Sequence, residues 1–331
     1  MTYLTHKDKI FIAGHKGLVG SAIMRNLESK GYTNIVTKAR NELDLLDQHA
    51  VKDFYRREKP SVVFIAAAKV GGIYANSHFR AEFIYENLQI QNNLIWGAYE
   101  FDVHRLVFLG SSCIYPKEAP QPIRENCLLT SPLEYTNRPY AVAKIAGIEL
   151  VSSLRAQFKR DFFAAMPTNL YGPHDNFHPK TSHVLPALLR RLVEAKENDE
   201  KRITVWGTGR PQREFLYSDD CADALVHMAE KISESDFDKI LNTPPYWCSV
   251  NVGGGDEVSI RELAEMIAKE VEFSGKLEFD PSQPDGTMRK LMDSSLLVKW
   301  GWKPKITLEQ GIRDTINWYK KNRNRYQVAA C

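Results

Sequence analysis

Short apolar runs and stretches of helical spacing alternate along the first half of the chain. KIFIA (9–13), NIVTKA (34–39), SVVFIAAA (61–68), RLVFLG (105–110) and FFAAMP (162–167) are mostly apolar, and are read as strands. LVGSAIMRNLESKG (18–31) and the stretches at 79–102 and 140–158 repeat apolar residues every three or four positions, the period of a helix with one buried face. VKDFYRR (51–57) separates the second and third strands. Short β-branched runs separated by helices indicate parallel βαβ units. The expected fold class is therefore α/β, a Rossmann-type doubly wound parallel sheet.

Beyond Pro167 the pattern is mixed. VLPALLRRLVEAK (184–196) and DDCADALVHMAEKI (219–232) read as helices, and ITVWG (203–207) as a strand. SVNVGGG (249–255) reads as a strand leading into a helix at SIRELAEMIAKEV (259–271). The pattern predicts a dinucleotide-binding domain over 1–170, to which the chain returns at about 219–255. A smaller α/β C-terminal substrate lobe takes 171–218 and 256–321, and 322–331 is a tail. The polar segment 232–248 carries two prolines and is expected to be a surface insertion.

Charge and cysteine usage narrow the class. Lys plus Arg is 44 against 41 for Asp plus Glu, a net of +3. That balance is too even for nucleic-acid binding by charge alone, although local basic clusters can still hold phosphates. The cysteines, Cys113, Cys127, Cys221, Cys248 and Cys331, are scattered and lack metal-ligand spacing. With no apolar export segment at the start of the chain, they predict reduced thiols in a cytoplasmic protein without a metal. No apolar run approaches the roughly 20 residues that span a bilayer, so no membrane partner is expected.

IAGHKGLVG sets Gly14, Gly17 and Gly20 directly after the first strand. A dinucleotide needs a tight turn there, an unobstructed backbone beside the pyrophosphate, and helix amides pointing at the phosphates. Cofactor choice rests on the end of the second strand, where an acid favours NAD and a cation favours the 2′-phosphate of NADP. The run TKAR puts Arg40 at that place, and Lys16 lies inside the glycine loop. Solvated surface charge is the plain alternative for both; the expectation is NADP(H).

NRPYAVAKIAGIEL places Tyr140 and Lys144 four residues apart, on one helix face. An ammonium beside a phenol lowers its pKa, making the tyrosine a usable proton donor. Ser111, at the end of the preceding strand, can bind the same substrate oxygen. In FLGSSCIYP, Cys113 remains open between packing, half of a disulfide, and an acid/base.

GHKGLVG, LGSSCIYP, NRPYAVAKIAG, MPTNLYGPHDNFHP, SHVLPALLRR, VWGTGRPQREF and PDGTMRK together resemble the extended short-chain dehydrogenase/reductase family over essentially the whole chain. Within it, they are most similar to the epimerase/reductases of GDP-4-keto-6-deoxy-mannose. The resemblance implies inversion at C3 and C5 of a GDP-sugar, followed by NADPH-dependent reduction of the C4 ketone. It implies Cys113 and His183 as the acid/base pair, and Ser111, Tyr140 and Lys144 as the reduction set.

For the cofactor, the resemblance implies contacts from Gly14, His15, Lys16, Gly17, Leu18, Val19 and Gly20, then from Arg40, Asn41, Leu43, Asp44 and Leu45. It adds Leu109, Gly110, Ser111, Ser112, Tyr140 and Lys144, the PTNL stretch (Pro167, Thr168, Asn169, Leu170), and His183. It implies substrate contacts from Arg191, Trp206, Arg213 and Asp285, and a homodimer built on the helices at 79–102 and 140–158. Lys16 departs from the family, which commonly has arginine there. Competing readings are the same chemistry on another GDP-4-keto sugar such as a 6-deoxy-heptose, and a non-catalytic NADP-binding redox sensor. A 4,6-dehydratase would carry an acid near Cys113, and SSCIY has none.

Overall fold

The computed structural model describes residues 3–324 apart from Pro245 and Pro284, so Cys331 and most of the expected tail lie outside the described residues. The strands of the first half are β1 (Ile10–Ala13), β2 (Ile35–Val36), β3 (Val62–Ile65), β4 (Arg105–Leu109) and β5 (Asp161–Pro167). Between them run helices α1 (Leu18–Ser29), α2 (Gln48–Glu58), the short α3 (Ile73–His78), α4 (Arg80–Glu100) and α5 (Arg138–Phe158). After β5 come β6 (Asn169–Tyr171), α6 (Val184–Glu197), β7 (Arg202–Trp206) and β8 (Gln212–Tyr217). Helices α7 (Ser218–Lys231) and α8 (Glu234–Leu241) precede β9 (Ser249–Val252). The chain continues through β10 (Glu257–Ser259), α9 (Ile260–Val271), β11 (Lys276–Asp280), β12 (Arg289–Lys290), α10 (Ser295–Lys299) and α11 (Leu308–Asn322).

The central sheet is parallel, in the order β2-β1-β3-β4-β5-β9. Strands β1, β3, β4, β5 and β9 are buried along their whole length, as strands covered by helices on both faces must be. One face packs Leu27 of α1 with Leu225 and Met228 of α7; the other packs Phe54, Leu94 and Ile148 of α2, α4 and α5. The lobe has its own core, in which Leu189 of α6, Leu263 of α9 and Ile316 of α11 are buried. Leu297 and Trp302, within the stretch expected to be lobe, pack instead into the α1–α7 core.

Two expected strands are shorter in the structure. β2 stops at Val36 because the following residues fold into a turn, in which the Glu42 carboxylate accepts from the Ala39 amide at 2.8 Å. β3 stops at Ile65, just before Ala66 and Ala67 pass close against Gly14.

The segment 232–248 is not a simple surface insertion. It contains α8, capped by the Ser233 side chain, whose Phe237 is fully buried and stacks on Phe163 at 4.1 Å between centroids. Beneath it lies a buried ionic cluster. Asp161 bonds Arg105 at 2.5 Å and Arg155 at 2.8 Å. Arg105 also donates to the carbonyls of Ala229 and Ile232, and Arg155 to that of Glu234 and to the Asp238 carboxylate. Composition makes this segment look exposed; one phenylalanine and two distant arginines hold it down. Phe237→Ala should therefore cost about 3–5 kcal/mol in urea unfolding, the range for a fully buried aromatic. A loss under about 0.5 kcal/mol would mark the segment as surface.

Candidate active site

The turn after β1 is built around close backbone approach. A Cβ on Gly20 would lie 2.2 Å from the Gly14 carbonyl oxygen, and one on Gly14, at φ +89°, would meet the Ala67 amide at 2.7 Å. Gly17 starts α1 with no side-chain cap and no acid in the first turn, so the helix amides and their partial positive charge face outward. His15 lines this turn with its Nδ1 buried and unpartnered. Burial, and then the charge of Lys16, holds its pKa below the usual value. An anion-binding cradle at a helix N-terminus is the arrangement a dinucleotide pyrophosphate requires.

Arg40 and Asn41 are exposed beyond the β2 turn, and Lys16 is exposed in the glycine loop. Leu43 is buried, the Asp44 carboxylate accepts from the Leu46 amide, and the Leu45 carbonyl accepts from Asn93. Neither cation makes a salt bridge among the described residues.

At the end of β4, Gly110 continues the parallel ladder by donating to Ala165, and the chain then turns. Ser111 Oγ caps that turn by accepting from the Cys113 amide at 3.2 Å, and Ser112 is buried behind it. Tyr140 projects from the first turns of α5 into a small apolar cluster with Ala75, Phe83 and Cys113. Burial pushes its phenol well up, with the neighbouring Cys113 adding to the rise, while a hydrogen bond with Ser111 opposes it.

Lys144, one helical turn on, is also buried. Its Nζ donates to the Leu109 carbonyl at 2.7 Å and lies 6.0 Å from the Tyr140 ring centroid. Burial without a carboxylate partner brings its pKa down to about 7. The phenol thus lies above its usual range, the opposite of the lowering expected from the Lys144 ammonium. The lysine is itself driven toward neutrality, because a low-dielectric pocket penalises an unpaired ammonium.

The lobe supplies the other wall. His183 immediately precedes α6 and is accessible from the cleft. Loss of hydration among the surrounding groups, and then the positive charge of Lys290, lowers its pKa. The loop before α3 is tied to this region by Gly72, whose amide donates to Thr181 at 2.8 Å. Lys290 on β12 donates to Cys113 Sγ at 3.4 Å, across 177 residues of sequence.

Arg213 on β8 is half-buried and feels the charges of both Cys113 and Asp285. Asp285 is tied to the turn after β7, accepting from the Thr208 amide at 2.7 Å and the Thr208 hydroxyl at 2.8 Å. Trp206, at the start of that turn, is exposed, and Arg191 on α6 donates to the Thr204 carbonyl at 2.6 Å. Thus Ser111, Cys113, Tyr140 and Lys144 form one cluster beside Lys290, whereas Arg191, Trp206 and Asp285 sit on the β7 side of the lobe.

Two residues without an expected role prove central. One is Lys290, inside the PDGTMRK motif. The other is Glu214, fully buried on β8, whose carboxylate accepts from the amides of Gly255 at 2.7 Å and Met292 at 3.1 Å. Its backbone carbonyl accepts from the side chains of Thr168 at 3.4 Å and Asn169 at 2.8 Å, just after Pro167 ends β5. Thr168 in turn donates its amide to Val252 of β9, and Leu170 follows on β6. A carboxylate in the run QREFLY is the available sequence signal, because an acid in a strand that is otherwise buried needs dedicated partners.

The sequence profile of the NAD dependent epimerase/dehydratase family matches residues 10–243, and the chain belongs to that family. Within it, the chain is 55% identical to the protein named GDP-L-fucose synthase 1 of Arabidopsis thaliana, over 95% of this chain and 94% of that one. It is 51% identical to GDP-L-fucose synthase of Escherichia coli K12, over 97% of this chain and 99% of that one. Among solved structures it is similar to a GDP-mannoheptose C4 reductase from Campylobacter jejuni with NADP bound, with TM-score 0.87 and 40% identity, covering 96% of this chain and 99% of that one.

The depressed Lys144 pKa has a measurable consequence. Between about pH 7 and the ordinary lysine value of 10.5, the unfolded chain binds a proton at this position that the folded chain has released. Raising pH through that window therefore favours the folded state. The ligand-free protein should gain stability relative to Lys144→Met over that range in urea titrations. Parallel stability curves for the two proteins would show that Lys144 stays charged in the pocket.

Proposed function

We propose that this protein converts GDP-4-keto-6-deoxy-D-mannose to GDP-L-fucose, inverting C3 and C5 and then reducing C4. The observation that carries this reading is the packing of Cys113 against Tyr140, at the turn that the Ser111 hydroxyl caps. A thiol acid/base and a reductase pair share one cluster. Identity of 49–55% to GDP-L-fucose synthases of Arabidopsis thaliana, Escherichia coli and Sinorhizobium fredii, against 39–40% to the heptose reductases, supports the fucose product; some other proteins of the fucose-synthase name stand at 28–43%.

The 4-ketone acidifies the hydrogens on both neighbouring carbons. Inversion removes a proton from one face and delivers another to the opposite face, which a single fixed group cannot do. Cys113 and His183 are the two groups. The enolate formed at each removal carries its charge on O4, where Tyr140 and Ser111 donate hydrogen bonds. An oxyanion at that point also favours the charged form of Lys144, offsetting its burial. Tyr140 then protonates O4 as the ketone is reduced.

NADPH, when bound, supplies the hydride for C4. Its pyrophosphate fits the glycine cradle with His15, Gly17, Leu18 and Val19, and its 2′-phosphate suits Arg40 and Lys16. Lys144 would hold the ribose, and Pro167 to Leu170 would face the nicotinamide. Arg191 and Arg213 suit the GDP pyrophosphate, Trp206 offers an exposed ring to the nucleotide, and Asp285 fixes the turn that carries it. The described cysteines are all free thiols, in keeping with a cytoplasmic protein, and no described helix is long and apolar enough to cross a membrane.

Tyr85 and Trp96 on α4 and Val142 on α5 are exposed apolar side chains on paired helices. Such a face suits a homodimer joined through a four-helix bundle. Light scattering at micromolar protein should give twice the 37.8 kDa chain mass; a monomer mass would overturn this assembly.

Cys113→Ser tests the function itself. Incorporation of solvent deuterium at C3 and C5 should fall sharply while hydride transfer from NADPH remains measurable, giving an unepimerised or singly inverted 6-deoxy sugar. Tyr140→Phe should instead lower reduction by roughly 10²–10⁴, the usual range for general acid catalysis. Deuterium incorporation at the normal rate in Cys113→Ser would reduce Cys113 to packing.

A further inference from the structure

β12 is only two residues long, and its two basic side chains have different fates. Successive side chains on a strand point to opposite faces. Arg289 turns outward and pairs with Glu257 at 2.8 Å. Lys290 turns into the cleft, half-buried, with no carboxylate within ion-pair distance among the described residues. Its Nζ instead donates to Cys113 Sγ at 3.4 Å. A partly desolvated ammonium beside a thiol, with no acid to balance it, is an arrangement that a negative charge on sulfur would complete.

We propose that Lys290 is a positioning residue for the proton transfers at carbon, its ammonium serving as the counter-charge of the Cys113 thiolate. This rests on the epimerase reading above. When the thiol protonates carbon, the S–H bond breaks, a C–H bond forms from the enolate electrons, and the sulfur is left negative. When the thiolate takes a proton from carbon, the same changes run in reverse. In either direction Lys290 stabilises the charged sulfur without exchanging a proton itself.

The other charged and titratable groups around the site allow this. Tyr140 on α5 carries no charge at neutral pH. Arg213 on β8 stands beside Lys290 in the strand register and shares its field with Asp285. Lys144 on α5 is held by the Leu109 carbonyl, and the charge of Lys290 also reaches His183, ahead of α6. One ammonium thus reaches both members of the acid/base pair: it contacts the Cys113 sulfur, and its charge favours the neutral form of the imidazole. Sequence alone hides this, since the lysine lies 177 residues from the thiol along the chain.

The experiment compares the full-length protein with Lys290→Met and Lys290→Arg. Iodoacetamide labelling of the Cys113 peptide, without substrate, should slow at neutral pH by at least about tenfold in Lys290→Met, the lower end for an opposite charge at this range. Deuterium exchange at C3 and C5 should slow comparably, with KM for the GDP-sugar changed less than about threefold. The limb of the exchange profile set by His183 should move to higher pH, because removing a positive charge raises the imidazole pKa. Lys290→Arg should recover most of both rates, and Lys290→Gln replaces the methionine variant if that one unfolds. Unchanged labelling in Lys290→Met would overturn the proposal. So would a large rise in KM with unaltered exchange at saturation, which would make Lys290 a clamp for the substrate phosphates. If the unmodified protein exchanges no deuterium, the epimerase reading fails, and the labelling result still decides whether Lys290 and Cys113 are electrostatically paired.

Discussion

The buried carboxylate of Glu214 is the constraint on which the cleft depends. Among the described residues it has no cation partner, and it relies on backbone amides, accepting from Gly255 on one side and Met292 on the other. A Cβ on Gly253 would come within 2.3 Å of one of its oxygens, so the loop after β9 is shaped around it. Burial raises its pKa and those amide bonds lower it, so the site stays intact only while the backbone on both sides remains in place. Removing the carboxylate would leave buried donors unpaired, each costing about 1–3 kcal/mol. Because Met292 lies two residues from Lys290, the same group that closes β9 against β8 also fixes the ammonium facing Cys113.

Much of the first domain was legible because its strands are buried on both faces and therefore read as nearly continuous apolar runs. The glycine loop was legible because Gly14 and Gly20 leave no room for a Cβ. Tyr140 and Lys144 could be paired by helical spacing alone. What escaped the sequence were the local Glu42 turn that shortens β2 and two features set by contacts between distant residues, the burial of Phe237 and the bond from Lys290 to Cys113. The direction of the Tyr140 and Lys144 shifts also escaped, since spacing reveals proximity but not how little water reaches the pair.

Helix α5 serves two purposes through two faces. Tyr140, Lys144 and Ile148 are buried on its inner side, and Gly147 lets it settle against Phe108 with no room for a side chain. Val142, on the opposite side of the helix from Tyr140, faces outward. The rigidity that places the phenol beside Ser111 therefore comes from packing on β4 and α4, and whatever covers the outer face bears on the same rod.

The strand order has a bearing on how the chain is made. β9 completes the central sheet beside β5, yet it is synthesised only after β6, α6, β7, β8, α7 and α8. During synthesis from the N-terminus, β5 leaves the ribosome as an open sheet edge, and open edges invite pairing with other chains. The arginines at 105 and 155 emerge early too, sharing a single aspartate until the Asp238 carboxylate and the carbonyls of Ala229, Ile232 and Glu234 arrive. The nascent domain therefore carries an exposed ladder and an unbalanced pair of cations until residue 252 is free of the exit tunnel, and its folding is gated by translation.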